Sequence, residues 1–540
     1  MSTAAAVKIN SRPSPKASSD AVIKDNQSKE LFFAVVGPVG AGSSRAISSL
    51  ERVCQGAGYV CETIKASELI REWASANGMP LPSSEDKTLE YVGRLQDLGD
   101  EMRKSDTTGV ARAITKEIAK RRARNTGQTY VEGTPVVPDG KKRAYLIDSI
   151  RHPSEIQLLR RTYGISFALI GVVCEETERK NRVLNKYFKI TQHGKSETKQ
   201  IVDEFMKRDS DDPSKKYGQH VSDCFFEADF FVNNTLDDLP DNNRYLDEDL
   251  SRLVSIIVHD SIVRPTIDET AMHHAYSARV RSACLSRQVG AALVDAGGTI
   301  VATGTNEVPA AGGGVYGESF LHAHNAAADD RCAFRDTPFC SNNREQNKII
   351  NELIESVSVL AAAPDRMKLV EAVRKTRLGG LLEFSRAVHA EMDAILSAGR
   401  EGISTVGTRL FVTTFPCHYC ARHIVSAGVF EVQYIEPYPK SLAFELHKDS
   451  IELNESEWVA PSAPGTAEYS PSAQGGKAGG KVLFKPFVGV APRMYSRAFE
   501  KTWELKDRVT GEYLLKPPAW GSEWSTLTVG YPEIEATLAS

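Results

Sequence analysis

The first 28 or so residues are rich in Ser, Lys, Ala and Asp and show no apolar period, so residues 1–28 read as a mobile tail. From Leu31 the pattern changes to short apolar runs separated by helical stretches. Runs at Leu31–Val36, Tyr59–Lys65, Ala144–Asp148, Ile165–Cys174 and Ala228–Val232 predict buried strands, and Ser44–Ala57 predicts a helix. Such alternation implies a mostly parallel sheet covered on both faces. At Arg264-Pro265 the alternation restarts, with a helix from about Asp268 to Cys284 and strands at Val289–Val294, Thr299–Thr303, Arg409–Thr413 and Val482–Val488. Val308–Asn343 is irregular, and Asn454–Gly480, full of Ser, Pro, Gly and Ala, reads as a flexible loop. The pattern therefore predicts one α/β domain over 29–262 and a second over 265–540.

Composition narrows the class. A chain of 540 residues exceeds one hydrophobic core, and its 41% hydrophobic and 25% charged residues are those of an ordinary soluble protein. A net charge of −4 argues mildly against a broad basic surface for long DNA or RNA. The nine cysteines are odd in number and scattered, which fits a reducing compartment better than a disulfide framework. The amino terminus lacks the apolar core of a signal peptide, and the longest apolar run, Ile165–Cys174, is about half of what a bilayer requires. The expectation is a cytoplasmic protein without a membrane partner.

The sharpest motif is His389-Ala-Glu391 followed, after 24 intervening residues, by Pro416-Cys417-His-Tyr-Cys420. Cys417 and Cys420 lie one helical turn apart, so both thiolates face the same way. Pro416 suits a helix start, where the dipole lowers a thiol pKa. His389 completes a three-ligand zinc site with an open fourth position, and Glu391 is placed to move protons rather than to bind metal. H-x-E…P-C-x-x-C is the signature of zinc deaminases. A structural zinc would use four protein ligands and have no need of Glu391.

Around this motif, Arg281-Ser-Ala-Cys-Leu-Ser-Arg287-Gln-Val-Gly-Ala291 and Thr303-Gly-Thr-Asn306 resemble the opening of deoxycytidylate deaminases. The resemblance implies that Asn306 contacts the sugar and that Arg287 is a phosphate or packing partner. Taken alone, Gly304 and Asn306 would read as a turn. The chain departs from that family in the long insertion between Asn306 and His389. His322, His324, Cys332 and Cys340 lie in it, and their spacing fits a second zinc poorly, so surface or pocket-lining positions are expected.

Near the amino end, Gly37-Pro-Val-Gly40-Ala-Gly42-Ser43-Ser44 follows a strand and opens a helix, the context of a phosphate-binding loop. Ser43 stands where such loops carry a lysine that reaches the transferred phosphoryl group, which predicts binding without transfer. The segments holding Asp148 and Arg151, and the run from Arg179 to Arg182, resemble nucleoside monophosphate kinases, which implies a nucleotide and Mg2+ at this site.

Together the halves resemble the bacterial anti-phage dCTP deaminases from about Leu31 to about Phe499. The implied fold is an N-terminal P-loop kinase-like parallel-sheet domain and a C-terminal three-layer α/β/α domain of the cytidine deaminase type. The resemblance implies one catalytic zinc, dCTP and dCMP as substrates, a homo-oligomer, and activity restrained in uninfected cells, in some members by a small RNA. Rival readings are a dCMP deaminase of nucleotide salvage, a deaminase of bases within nucleic acid, and a binding module with a relic deaminase fold. The intact His389, Glu391, Cys417 and Cys420 oppose the last.

Overall fold

The structure is a computed structural model describing residues 28–82, 88–210, 217–235, 242–258, 261–317, 331–381, 383–438, 441–461, 480–500, 506–512 and 530–539. The expected tail (but for Ser28) and most of the expected flexible loop lie outside these residues. The chain divides into two units, Met1–Arg264 joined by Val488–Ser540, and Pro265–Phe487.

The first unit is built on a six-stranded sheet, β1 (Glu30–Val36), β2 (Val60–Lys65), β3 (Arg143–Asp148), β4 (Phe167–Val173), β5 (Phe230–Asn233) and β12 (Gly489–Val490), in the order β12-β5-β4-β1-β3-β2. The first five are parallel and β12 is antiparallel to β5. β1, at the centre, is buried at all seven positions, as expected of a strand covered on both faces. The connection from β1 leads to β2 and that from β3 crosses to β4. The crevice between the carboxyl ends of β1 and β3 is thus a topological switch point, where ligands of open α/β sheets bind.

Val482–Val488, which reads in sequence as one strand of the second domain, is a strand only to Pro486, and the boundary between the units falls just after it, between Phe487 and Val488. β11 (Val482–Pro486) belongs to the second unit and β12 to the first, so the expected second domain over 265–540 is corrected to Pro265–Phe487. The reason is packing. Val490, Met494 and Ala498 join the core formed by β1, β4 and the helix Ser43–Gly56, while the helix Tyr531–Ala539 delivers Tyr531 and Glu535 to a buried polar cluster. There Arg122, fully buried, donates to Glu30 at 2.8 Å and to Glu535 at 3.1 Å. Tyr531 donates to Glu30 (2.7 Å) and Tyr163 to Glu535 (2.8 Å). Ser28, the last residue of the expected mobile tail, is itself buried against Tyr531. Burial pushes the Glu535 carboxyl above its ordinary value, against the opposing pull of Arg122 and Tyr163.

The second unit holds β6 (Gly290–Val294), β7 (Ile300–Thr305), β8 (Arg409–Thr414), β9 (Glu431–Glu436), β10 (Ile451–Glu452) and β11 in the order β10-β11-β9-β8-β6-β7. β7, β6 and β8 run antiparallel, and from β8 to β10 the sheet is parallel. The helices Ala390–Arg400 and His418–Ser426 bury Ala394, Ala398, Ala421 and Ile424 in the core with Leu293, Leu410 and Val412 of the strands. All nine cysteines are free thiols, and among the described residues no helix is long and apolar enough to cross a membrane.

Replacing Arg122 by Met would leave Glu30 and Glu535 facing each other without their shared cation, a loss of about 3–5 kcal/mol for a broken buried ion pair. Chemical denaturation of the Arg122→Met variant checks this, with a loss below about 1 kcal/mol counting against the cluster as the clasp of the first unit.

Candidate metal centre and substrate cavity

Two helix starts make the metal centre. His389 is the residue immediately before the helix Ala390–Arg400, and Cys417 stands in the same position before His418–Ser426, with Cys420 inside that helix's first turn. His389 Nδ1 lies 3.3 Å from Cys417 Sγ and 3.4 Å from Cys420 Sγ. A tetrahedral zinc with bonds of about 2.3 Å to sulfur and about 2.0 Å to nitrogen separates such atoms by about 3.5 Å, so the donors fit that ion, with Nδ1 rather than Nε2 as the nitrogen ligand. Among the described residues the group comprises these three donors, leaving a fourth position open.

The electrostatics of the metal-free group follow from this crowding. The Cys420 hydrogen bond, against burial, and then His389 hold the Cys417 thiol down to about 4. Burial alone would lower the His389 imidazole, but its hydrogen bond to Cys417 and the charges of Glu391 and Cys417 carry it up to about 9. Burial, followed by the charge on Cys417, pushes the Glu391 carboxyl up to about 7.

The helix carrying His389 and Glu391 is fixed from behind. Asp393 accepts the Thr305 N–H at 3.0 Å, and a Cβ at Gly304 would meet Ala390 O at 2.1 Å, so only glycine lets β7 lie this close. Gly304 is therefore a contact residue within a strand, not a turn.

A cavity of about 340 Å3 opens beside the centre, lined at one end by His389, Glu391 and Cys417. Asn306 and Arg287 line it as well, with both ends of the Asn306 amide already bonded. Its Oδ1 accepts the Val289 N–H at 2.6 Å and its Nδ2 donates to the Arg287 carbonyl at 2.6 Å, which ties the 287–289 loop to the end of β7. Arg287, expected to meet phosphate, is ion-paired with Glu436. Of the four insertion residues set aside as a second zinc site, Cys332 and Cys340 line this cavity, and His322 and His324 lie outside the described residues. Sequence reasoning missed Glu307, whose buried carboxylate accepts the Ala283 N–H at 2.7 Å. Its position next to Asn306 was the available signal.

In the first unit, the predicted phosphate loop lies at the switch point. Gly40 and Gly42 have φ of 84° and 86°, and a Cβ on Gly42 would strike Asn234 Nδ2 at 2.2 Å. Ser44 Oγ donates to Asp148 at 2.9 Å. Arg151, Arg179 and Arg182 turn towards the loop's carbonyl side, donating to Gly37 O (3.1 Å), Val39 O (3.5 Å) and Gly40 O (3.2 Å). Arg151 is also paired with Asp209 (2.9 Å), whose other oxygen accepts the Val39 N–H at 2.7 Å. The three arginines brace the loop, and Asp209 and Asn234 share that task.

A model of the cytidine and deoxycytidylate deaminase zinc-binding region matches residues 265–436. The deoxycytidylate deaminase of Enterobacteria phage T2 is 31% identical over 174 residues, covering 32% of this chain and 81% of that protein. The crystal structure of a dCMP deaminase from cyanophage S-TIM5 aligns at 22% identity and a TM-score of 0.20, over 34% of this chain and 94% of that one. A gluconokinase from Sinorhizobium meliloti 1021 aligns at 15% identity and a TM-score of 0.23, over 43% and 99%. With the metal donors, the buried Glu391 and the T2 relative matched over most of its length, the chain belongs to the deoxycytidylate deaminase family, a family of zinc-binding hydrolytic deaminases.

Proposed function

We propose that the protein hydrolyses the amino group of free cytosine deoxynucleotides, converting dCMP to dUMP and dCTP to dUTP, and that the loss of dCTP starves an infecting phage of a DNA precursor. The observation that carries the reaction is the buried Glu391 carboxyl opening onto the same cavity as His389 and Cys417. When bound, zinc supplies Lewis acidity at the open fourth position. Glu391 takes one proton from the attacking water and gives it to the ring nitrogen. It then takes the second from the hydroxyl now on C4 and gives it to the amine, which leaves as ammonia as the C4 carbonyl forms. Asn306 keeps the 287–289 loop against the cavity, a positioning part beside the sugar contact that the family resemblance implies.

In the first unit, the loop Gly37–Ser44 at the switch point supports a site for a phosphorylated ligand that controls the deaminase. Phosphate transfer is not expected, because Ser43 replaces the lysine and the nearby arginines grip the loop itself. Magnesium would meet the Ser44 hydroxyl and Asp148, an oxygen set suited to that ion.

Glu391→Ala is expected to lower turnover by on the order of 10²–10⁴ while zinc stays bound, whereas Cys420→Ala loses the metal as well. Atomic emission beside a dCMP assay separates the two, and near-normal turnover in zinc-loaded Glu391→Ala would refute the role of Glu391. With dCMP, dCTP, CTP and a cytosine-containing oligonucleotide offered in turn, chromatography should show uracil products from the two deoxynucleotides alone. In infected cells the dCTP pool should fall with the wild type and hold with Glu391→Ala.

For the first unit, a Gly42 variant would distort the loop through Asn234, so Ser44→Ala is the cleaner probe. Titration calorimetry should show Mg-ATP binding to the wild type and about tenfold more weakly to Ser44→Ala, with no phosphate passed to dCMP. Robust kinase turnover would make this a bifunctional enzyme instead.

A further inference from the structure

All nine cysteines are free, but Cys54 and Cys61 share one corner of the first unit. Cys54 stands in the last turn of the helix Ser43–Gly56 and is fully buried in the core. Cys61 is the second residue of β2, the strand at one edge of the sheet, and is half-buried. A tight turn brings the two together. The Gly58 N–H donates to the Gln55 carbonyl and the Tyr59 N–H to the Cys54 carbonyl, both at 2.9 Å. Cys61 Sγ then lies 3.7 Å from the carbonyl of Glu51, one helical turn before Cys54, and the two thiols share a hydrogen bond.

Contact makes the two thiols unequal. The bond from Cys54 holds the Cys61 thiol below its ordinary value, against burial and the charges of Glu51 and Glu62. The same bond, followed by burial, pushes the Cys54 thiol up. A thiolate within reach of solvent, set against a second, protonated thiol, is the arrangement from which a disulfide forms. Neither residue has a part in the deamination. Both stand on elements that lead to the Gly37–Ser44 loop. The helix bearing Cys54 begins at that loop and carries Ser44, and β2 pairs in register with β3, whose last residue is Asp148.

We propose that Cys54 and Cys61 are a redox modification site, at which a hydroperoxide converts the pair to an intramolecular disulfide that clamps the helix Ser43–Gly56 to β2. The Cys61 thiolate attacks a peroxide oxygen, the O–O bond breaks, and the departing oxygen takes a proton and leaves as water or an alcohol. Cys61 is then a sulfenic acid, and its negative charge is gone. The Cys54 sulfur gives up its proton and attacks the Cys61 sulfur. As the S–S bond forms, the S–O bond breaks, and the hydroxyl leaves with a proton as water. Two electrons pass from the two thiols to the peroxide.

The test uses the zinc-loaded full chain and hydrogen peroxide. Trypsin cuts after Arg52 and Lys65, so one peptide, Val53–Lys65, carries both thiols. With an equimolar amount of peroxide, this peptide of the wild type should lose two hydrogens and resist alkylation before any other cysteine is oxidised. Dithiothreitol should restore it. Cys54→Ala should stop at a Cys61 sulfenic acid that dimedone traps, and Cys61→Ser should leave Cys54 reduced. The Cys61→Ser change lies at a half-buried edge position, so it tests the pair even where Cys54→Ala does not fold. A wild-type peptide that stays reduced, prior oxidation of another cysteine, or oxidation of Cys54 in Cys61→Ser overturns the proposal. In the oxidised wild type the amides of Gly58 and Tyr59 should exchange their hydrogens at least about tenfold more slowly than in the reduced protein, because the link limits opening of the turn. Equal exchange in the two forms overturns the clamp.

Discussion

The second unit depends on the meeting of two helix starts. His389 and Cys417 each occupy the position before the first helical residue, where the backbone amides have no carbonyl partner and the helix presents its positive end. Bringing two such ends together would be unfavourable without negative charge between them, and the Cys417 thiolate supplies it. The arrangement thus favours a thiolate at Cys417 before any metal arrives, while the Cys420 thiol is pushed up by its hydrogen bond to Cys417 and by burial. The convergence is held by contacts well outside the metal group. Asp393 bonds to β7, Gly304 allows the close approach, and β8 leads into the Pro416 turn.

The first unit applies positive charge to a different end. Its loop resembles a phosphate cradle, yet three arginines hold the carbonyl side of that loop, and Asp209 links one of them to a loop amide. In a transferring enzyme such charges would be aimed at the moving phosphoryl group. Here they hold the shape of the loop itself.

What sequence reasoning could see follows from how local each signal is. The metal group was legible because Cys417 and Cys420 are a helical turn apart, and His389-Ala-Glu391 fits within the start of one helix. The central strands were legible because uniform apolar runs such as Leu31–Val36 reflect burial on both faces. The division at Phe487-Val488 was hidden because the apolar run continues from β11, which pairs with β9, almost directly into Gly489–Val490, which pairs with β5 far away in sequence. The roles of Arg151, Arg179 and Arg182 were hidden for a related reason. Sequence shows that an arginine is near a loop but not whether it faces the loop's carbonyls or its amides. Asn306 lines the cavity, but its bonds to the 287–289 backbone depend on a loop conformation that no local pattern encodes.

The return of the chain at Val488 makes the first unit discontinuous, with the whole of Pro265–Phe487 inserted between two of its parts. On a ribosome this sets an order of completion. Every strand of the deaminase sheet is synthesised before β12 and the helix bearing Tyr531 and Glu535. Until then Arg122 and Glu30 wait for their last partners, with the neighbouring face of the first sheet uncovered. The nascent chain therefore passes through a stage in which all of the second unit has been made and the first unit still lacks its closing strand and helix.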